Sequence, residues 1–366
     1  QIYLKNKVLF LDEPTSVLTP QEADEVLGML KDQTLQSKLS VLIITHKFSQ
    51  VTKYADDYTV LRTGKLVGAG RVADVTIPEL SAMMIGSQTT ATMAARAAVE
   101  KPIPKFELKS LCANDDTGVE AVEGVSLKIN AGEIVGIVGV SGNGQSELVQ
   151  VLGGQRKPTS GSMEVLGNHY QGKRWQIHEW KVRCLPEEPL RNACVPDMSV
   201  AENIALRKFD KPPLTQMFTF LRNGRIRKFG EDLIKRYRVK TTSHASPISS
   251  LSGGNVQRAV LARELSEDIN VLIVQNPCFG LDFAAVADIR SQIMDARNRG
   301  AAVLLVTEDL DEAFQLADRI MVMYEGKLTY ECPGEAADIK IIGRHMAGHG
   351  HDSPSDTQSE ASYAAH

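Results

Sequence analysis

Residues 8 to 19, VLFLDEPTSVLT, and residues 271 to 282, VLIVQNPCFGLD, share one frame: an apolar run, two polar residues and a proline. The stretches after each proline match as well. In the first copy QEADEVLGMLKDQ leads to VLIITHKF and ADDYTVLRTGKLVGAG; in the second AAVADIRSQIMDARNRG leads to AAVLLVTEDL and ADRIMVMYEGKLTYE. The copies keep step within one residue: the spacings Asp12 to His46 and Gln275 to Glu308 differ by one, and His46 to Gly64 equals Glu308 to Gly326. Internal similarity constrains the fold more than composition does, because each copy must build the same unit. Short runs of Val, Ile and Leu separated by amphipathic stretches predict an α/β unit whose strands are buried on both faces of a mainly parallel sheet. Gly-Lys between two apolar runs predicts an antiparallel hairpin near the end of each copy, followed by a short helix ending near MMIGS or HMAGH.

Between the copies, QTTATMAARAAVEKPIPK is small, polar and Pro-containing, which predicts a linker over residues 88–104. The second copy reads as complete over 105–348. The first, 1–87, reads as a C-terminal portion, and a first residue of Gln rather than Met fits a fragment truncated at its N-terminus. The tail, 349–366, has nothing to bury and predicts disorder. His345, His349 and His351 lack fixed companion ligands and read as solvated rather than metal-binding.

With 43% hydrophobic and 23% charged residues, the chain has a globular composition and can bury a full core. A formal net charge of -4 gives no global attraction to nucleic acid, so nucleic acid is not an expected partner, although the local RNGRIRKF is basic. No apolar run approaches the roughly 18 residues of a membrane span, and the N-terminus lacks the zones of a signal peptide, which predicts a cytosolic chain. Five scattered cysteines without a C-x-x-C pair fit reduced thiols better than a disulfide or zinc framework.

EIVGIVGVSGNGQSELVQVLGG orders a strand, a glycine-rich loop and a helix. Gly139, Gly142, Gly144, Gln145 and Ser146 follow G-x-x-x-x-G-K-[ST] at every position but the lysine, where Gln145 stands. Such a loop turns backbone N–H groups and a helix N-terminus toward phosphate oxygens, and it is also compatible with an ordinary strand-to-helix turn. A second candidate anion site is SSLSGGNVQRAVLAREL, where Ser252, Gly253 and Gly254 open a helix as an N-cap with exposed N–H groups.

LSGGN-x-Q resembles the signature motif of ABC ATPases. With it, Gly139 to Ser146 resembles a Walker A loop, VLFLDEP and VLIVQNP resemble Walker B strands, Gly280-Leu281-Asp282 a D-loop, and His46 the switch histidine. DEPTSVLTPQEADE and GVSGNGQSEL are similar to the tandem ATPase subunits of simple-sugar and nucleoside importers, most of all the branch paired with basic-membrane-protein-type lipoprotein receptors. The resemblance implies P-loop NTPase domains in tandem, the first partial, each with a parallel core sheet, an antiparallel β subdomain and a helical subdomain. It also implies ATP and Mg²⁺ as cofactors, transmembrane permease subunits as partners, an extracytoplasmic solute-binding lipoprotein as an indirect one, and a peripheral place on the cytoplasmic face of the membrane.

Because ABC domains pair head to tail, the resemblance further implies two composite sites. One joins Asp12, Glu13 and His46 to Ser252, Gly253, Gly254 and Gln257, with Asp12 orienting Mg²⁺ through water, Glu13 as general base and His46 at the γ-phosphate. Its Walker A loop is not among the 366 residues. The other has lost charge throughout: Gln145 replaces lysine, Gln275 and Asn276 replace the acids, and Glu308 replaces the histidine, leaving Ser146 as a weak Mg²⁺ ligand. Asp282 belongs to the D-loop. Glu187 falls loosely where the Q-loop reaches toward Mg²⁺, with Pro189 departing from the usual pattern. VPDMSVAENIALRK resembles the helical subdomain that docks the membrane subunit and reads equally as a plain core helix; no aromatic platform for adenine stands near LKSLCANDDTGV. Two other readings are a soluble tandem ABC protein acting on ribosomes, which would keep acids in both halves and a long charged linker, and, for the fragment alone, a non-hydrolysing nucleotide-binding module.

Overall fold

In the computed structural model, which describes residues 7–15, 18, 20–45, 47–62, 64–85, 95–97, 103–216, 220–279, 281 and 283–349, the apolar runs are strands. The first segment contains β1 (Val8–Asp12), α1 (Pro20–Leu35), β2 (Ser40–Ile44), α2 (Phe48–Tyr54), the hairpin β3 (Asp57–Arg62) and β4 (Lys65–Arg71), and α3 (Ile77–Ile85). β1 and β2 are parallel, with Val8 opposite Ser40 and Asp12 opposite Ile44. Period-two geometry divides them: Leu9, Leu11, Val41 and Ile43 pack on Leu27 and Leu30 of α1, while Val8, Phe10, Leu42 and Ile44 point away and are exposed.

The second segment begins with β5 (Pro104–Asn114), β6 (Glu120–Asn130), β7 (Ile134–Val138), α4 (Gln145–Leu152), β8 (Ser160–Val165) and β9 (Asn168–Tyr170). It continues through α5 (Arg174–Glu179), β10 (Val182–Leu185), α6 (Pro189–Asn192), α7 (Val200–Ala205), the short pair β11 (Thr215–Gln216) and β12 (Phe220–Leu221), α8 (Asn223–Arg236) and α9 (Gly253–Leu265). It closes with β13 (Val271–Gln275), α10 (Phe283–Asn298), β14 (Ala302–Thr307), α11 (Leu310–Leu316), β15 (Arg319–Tyr324), β16 (Lys327–Pro333) and α12 (Ile339–Met346).

The main sheet has the order β10-β13-β14-β7-β15-β16. Its first five strands run parallel, and β16 closes one edge as the antiparallel half of the predicted hairpin. β5, β6, β8 and β9 form a separate antiparallel sheet. Ile134 and Val138 of β7 face a core shared with Val260 and Ile293, whereas Val135 and Ile137 face Phe106, Leu127 and Leu148. With a core on each side, β7, β13 and β14 are buried at every residue, which is why they read as unbroken apolar runs. In the repeat frame, exposed Val8, Phe10, Leu42 and Ile44 correspond to Val271, Ile273, Leu304 and Val306, all buried in the core that includes β5, β6 and α4.

α7 starts with a reciprocal cap: Ser199 Oγ accepts from Glu202 N at 3.2 Å, and Glu202 Oε2 accepts from Ser199 N at 2.9 Å. Val200, Ala201, Asn203, Ile204 and Ala205 are buried, so α7 itself is a core helix, while Val195 and Met198 just before it are exposed. Most of the expected linker and all of the tail beyond His349 lie outside the described residues. Residues 95–97 are held against the second segment: Arg96 donates to Ala317 O at 3.0 Å and Arg297 donates to Ala97 O at 2.8 Å. His345 corrects the reading of a solvated cluster, since it lies on α12 and stacks on Tyr330 at 4.5 Å. All five cysteines are free thiols, and among the described residues no helix is long and apolar enough to cross a membrane.

Candidate functional site

β7 delivers the chain into the glycine loop and α4 carries it away. Gly142 and Gly144 have φ of 89° and 97°, a left-handed conformation that disfavours other L-residues. At Gly144 there is also no room, since a Cβ there would stand 2.0 Å from Ala121 O. Asn143, an unremarked position in the sequence motif, fixes the loop. Its Nδ2 donates to Val140 O at 3.0 Å, its Oδ1 accepts from Glu325 N at 2.8 Å, and its carbonyl accepts from Gly326 N at 3.0 Å. The only sequence signal for this role was an amide between two glycines.

Gln145 is buried, and its Nε2 donates to Val140 O at 3.0 Å. The amide therefore folds back on the loop. Gln275 ends β13 beside α4: its Nε2 donates to Ser146 Oγ at 2.9 Å and to Glu187 Oε2 at 3.3 Å. A carboxylate only accepts, so Glu187 sets the orientation of this amide. The Ser146 hydroxyl thus accepts from an N–H donor, which competes for the oxygen that the Mg²⁺ role would use.

Asn276 and Glu13 follow their strands in the same way. Each has left-handed backbone, φ 41° and 44°, and each N–H donates across the sheet, Asn276 to Val306 O at 2.8 Å and Glu13 to Ile44 O at 2.9 Å. Asn276 Oδ1 accepts from Glu308 N at 3.0 Å. Burial pushes the Glu308 carboxyl above the usual range, the charge of Glu187 adds to this, and hydrogen bonds with Ser141 and Asn276 oppose it. The structure therefore joins Gln145, Ser146, Glu187, Gln275, Asn276 and Glu308 in one place.

Ser252 occupies the N-cap of α9, but its hydroxyl makes no cap bond and accepts instead from Asn255 Nδ2 at 2.8 Å. Ser252 and Gly253 are exposed. Gln257 departs from its expected nucleotide-facing place: it is buried and its Nε2 donates to Pro277 O at 2.7 Å, tying α9 to the residues after β13. Gly253 lines a cavity of about 560 Å³ with Leu251, Asn276 and Phe279. The buried triad beyond it, Glu264 with Arg207 at 3.0 Å and Arg263 at 2.7 Å, was not read from the sequence.

In the first segment Asp12 is exposed at the end of β1. Thr45 Oγ1 donates to Gln50 Oε1 at 3.2 Å and Gln50 Nε2 donates to Thr15 Oγ1. A cavity of about 230 Å³ is lined by Thr15, Lys47 and Gln50 from this segment and by Glu308, Asp309 and Asp311 from the second. Gly253 lines a different cavity from this one. His46, Gly280 and Asp282 lie outside the described residues.

The family described as ABC transporter matches residues 122–278. A glucose import ATP-binding protein of Haloferax volcanii is 38% identical over 352 residues, covering 95% of this chain and 64% of its own length. A nucleoside import ATP-binding protein of Lactococcus lactis is 36% identical over 348 residues, with 95% of this chain and 68% of its own length covered. A guanosine import ATP-binding protein of Bacillus subtilis is 34% identical over 364 residues, with 99% and 69% covered. The chain thus spans 64% of the first of these proteins and slightly more than two thirds of the others. Among solved structures, an ATP-binding cassette dimer in a post-hydrolysis state with ADP and Pi has a TM-score of 0.53 at 22% identity, covering 62% of this chain and 98% of that one. A nucleotide-free ATP-binding cassette of an ABC transporter has a TM-score of 0.53 at 18% identity, covering 70% and 98%. At these identities the likeness is one of fold.

Proposed function

Because the chain belongs to the family of ATP-binding subunits of ABC importers for sugars and nucleosides, we propose that it contributes to two unequal ATP sites of such an importer, one hydrolytic and one retired. The observation that carries this reading is the pairing of Glu13 with Asn276: same left-handed backbone, same cross-strand bond, and a carboxylate in only one of them.

In the hydrolytic site Glu13 acts as general base toward the attacking water, Asp12 holds Mg²⁺ through water, and His46 contacts the γ-phosphate. Ser252, Gly253 and Gly254 contribute hydrogen-bond donors at the start of α9. Mg²⁺, when bound, supplies positive charge that offsets the phosphoryl oxygens. The exposed carboxylate of Asp12 suits it. In the retired site Gln275 and Asn276 neither balance a cation nor accept a proton; Asp282 is assigned the D-loop role. The phosphate loop of the hydrolytic site is not among the 366 residues. For these residues by themselves the reading is a nucleotide-binding module without turnover, since neither copy holds both a glycine loop and the paired acids.

The domain reading keeps residues 1–87 as part of one ABC unit and 105–348 as a second, degenerate one in tandem. Its partners are permease subunits in the membrane and, through them, a solute-binding lipoprotein, which places the chain on the cytoplasmic face. DEPTSVLTPQEADE and the names of two relatives favour a nucleoside as cargo. The test is ATP turnover by the assembled importer. Glu13→Gln lowers it by about 10²–10⁴-fold, while Asn276→Ala leaves it within about threefold. Wild-type turnover by the Glu13→Gln protein would overturn the assignment.

A further inference from the structure

We propose that the glycine loop of this chain takes a nucleoside diphosphate in preference to a triphosphate, with the selectivity set by Glu187 and Glu308. The inference rests on the nucleotide-binding reading of that loop and goes beyond it in naming the ligand class.

In a phosphate loop the backbone cradles the α- and β-phosphates, whereas the lysine, the hydroxyl with its Mg²⁺ and the strand-end acid serve the β- and γ-phosphates. The cradle is intact here: Gly142 and Gly144 are left-handed, Asn143 pins the loop, and α4 begins at Gln145. At the far end the lysine and the acid are replaced and the hydroxyl is engaged. Gln145 engages Val140 O at 3.0 Å instead of reaching outward. Ser146 Oγ accepts from Gln275, whose Nε2 also donates to Glu187 at 3.3 Å. Glu308 is held at the loop by Ser141 and Asn276, and the charge of the Glu187 carboxylate acts on it. A triphosphate carries an additional anionic group to these two acids, where partial burial strengthens like-charge repulsion. A diphosphate ends short of them.

The 366 residues contain one G-x-x-x-x-G-x-[ST] loop, so nucleotide binding by the chain reports this site. Fluorescent N-methylanthraniloyl ADP and the corresponding non-hydrolysable triphosphate are titrated in EDTA and in excess Mg²⁺. The diphosphate binds at least about tenfold more tightly in both. Glu187→Gln with Glu308→Gln closes the gap by raising triphosphate affinity, leaving diphosphate affinity within about twofold. Gln145→Lys moves the preference toward triphosphate in an otherwise unaltered site. Equal or tighter triphosphate binding by the wild type in either condition overturns the inference, Mg²⁺ bridging of the acids included, as does a gap that survives the double substitution. If neither nucleotide binds the wild type or the variants, the nucleotide-binding reading of the loop falls and takes the inference with it. Binding of both without preference sinks the inference alone.

Discussion

Asn276 and Glu13, 263 positions apart in the numbering, hold the same backbone: φ of 41° and 44°, with each N–H bonded to the carbonyl two residues before the paired switch position. Left-handed geometry costs an ordinary L-residue about 1–2 kcal/mol, and asparagine tolerates it better than most. Strain kept at a glutamate is consistent with a functional demand on that position. Asn276→Ala loses both the tolerance and the 3.0 Å bond to Glu308 N, and destabilisation by about 1–3 kcal/mol is expected. Asn276→Gly loses only the bond and is milder by about 1 kcal/mol. Urea midpoints compare the two; equal losses would show that backbone conformation is not what the residue serves.

Gly142 and Gly144 separate conformational strain from steric exclusion. Both are left-handed, but a Cβ at Gly142 meets open space and one at Gly144 meets Ala121 O of β6 at 2.0 Å. Gly142→Ala should cost about 1–2 kcal/mol. Gly144→Ala must also displace strand backbone and should cost about 3 kcal/mol or more. Thermal unfolding distinguishes them, and equal melting temperatures would refute the steric account.

The legible parts of this protein were those written locally. Val, Ile and Leu runs marked strands covered on both faces, Gly142 and Gly144 marked a loop between strand and helix, and the repeat paired Asp12 with Gln275 by spacing alone. Contacts between distant segments were not legible. Gln275 reaches Ser146 and Glu187 because β13 and α4 lie side by side, and no spacing rule says which amide proton goes where. Asn143 carried no reading from the sequence because its partners, Glu325 and Gly326, belong to the β15–β16 turn. Ser252 has the residue type and dihedrals of a cap, yet Asn255 takes its hydroxyl. Gln257 was carried over with its motif as a nucleotide ligand, but burial turned its amide to Pro277.

The repeat also offers two solutions for one buried position. In the first segment Gln50 lies with Thr45, Thr15 and Leu27; in the second their counterparts are Glu312, Thr307, Cys278 and Arg290. Thr307 Oγ1 donates to Glu312 Oε2 at 2.7 Å, but Arg290 Nε and Glu312 Oε1 are 3.7 Å apart and neither atom has a hydrogen-bond partner. Burial raises the Glu312 carboxyl above its usual range, and Arg290 opposes this. Arg290→Leu alone strands a buried acid and should cost about 3–5 kcal/mol. Adding Glu312→Gln reproduces the first segment's Leu and Gln and should recover most of that loss, with a coupling energy of at least about 1 kcal/mol. A double-mutant cycle by denaturant unfolding measures it, and simple additivity would show the two side chains to be independent.

Acid sensitivity should trace in part to Glu264, which is fully buried on α9 and accepts from Arg207 Nε at 3.0 and 3.1 Å and from Arg263 Nε at 2.7 Å. Burial alone would push its carboxyl up, but Arg207 and Arg263 together outweigh burial and hold it below the unfolded value of 4.5. A carboxyl with a lowered folded value contributes stability that is present above the unfolded value and disappears as pH falls through the folded one. Glu308 and Glu312, both raised, act in the opposite direction: acidification relieves the cost of holding them charged. At neutral pH, Glu264→Gln should therefore be less stable than the wild type by about 3–5 kcal/mol, because two arginines lose their counter-charge. As pH drops below about 4.5 the wild type loses the Glu264 contribution and the variant has none to lose, so the difference should shrink. Urea midpoints of both proteins from pH 7 downward test this, and a gap that stays constant across that range would mean that the triad does not govern the acid limb.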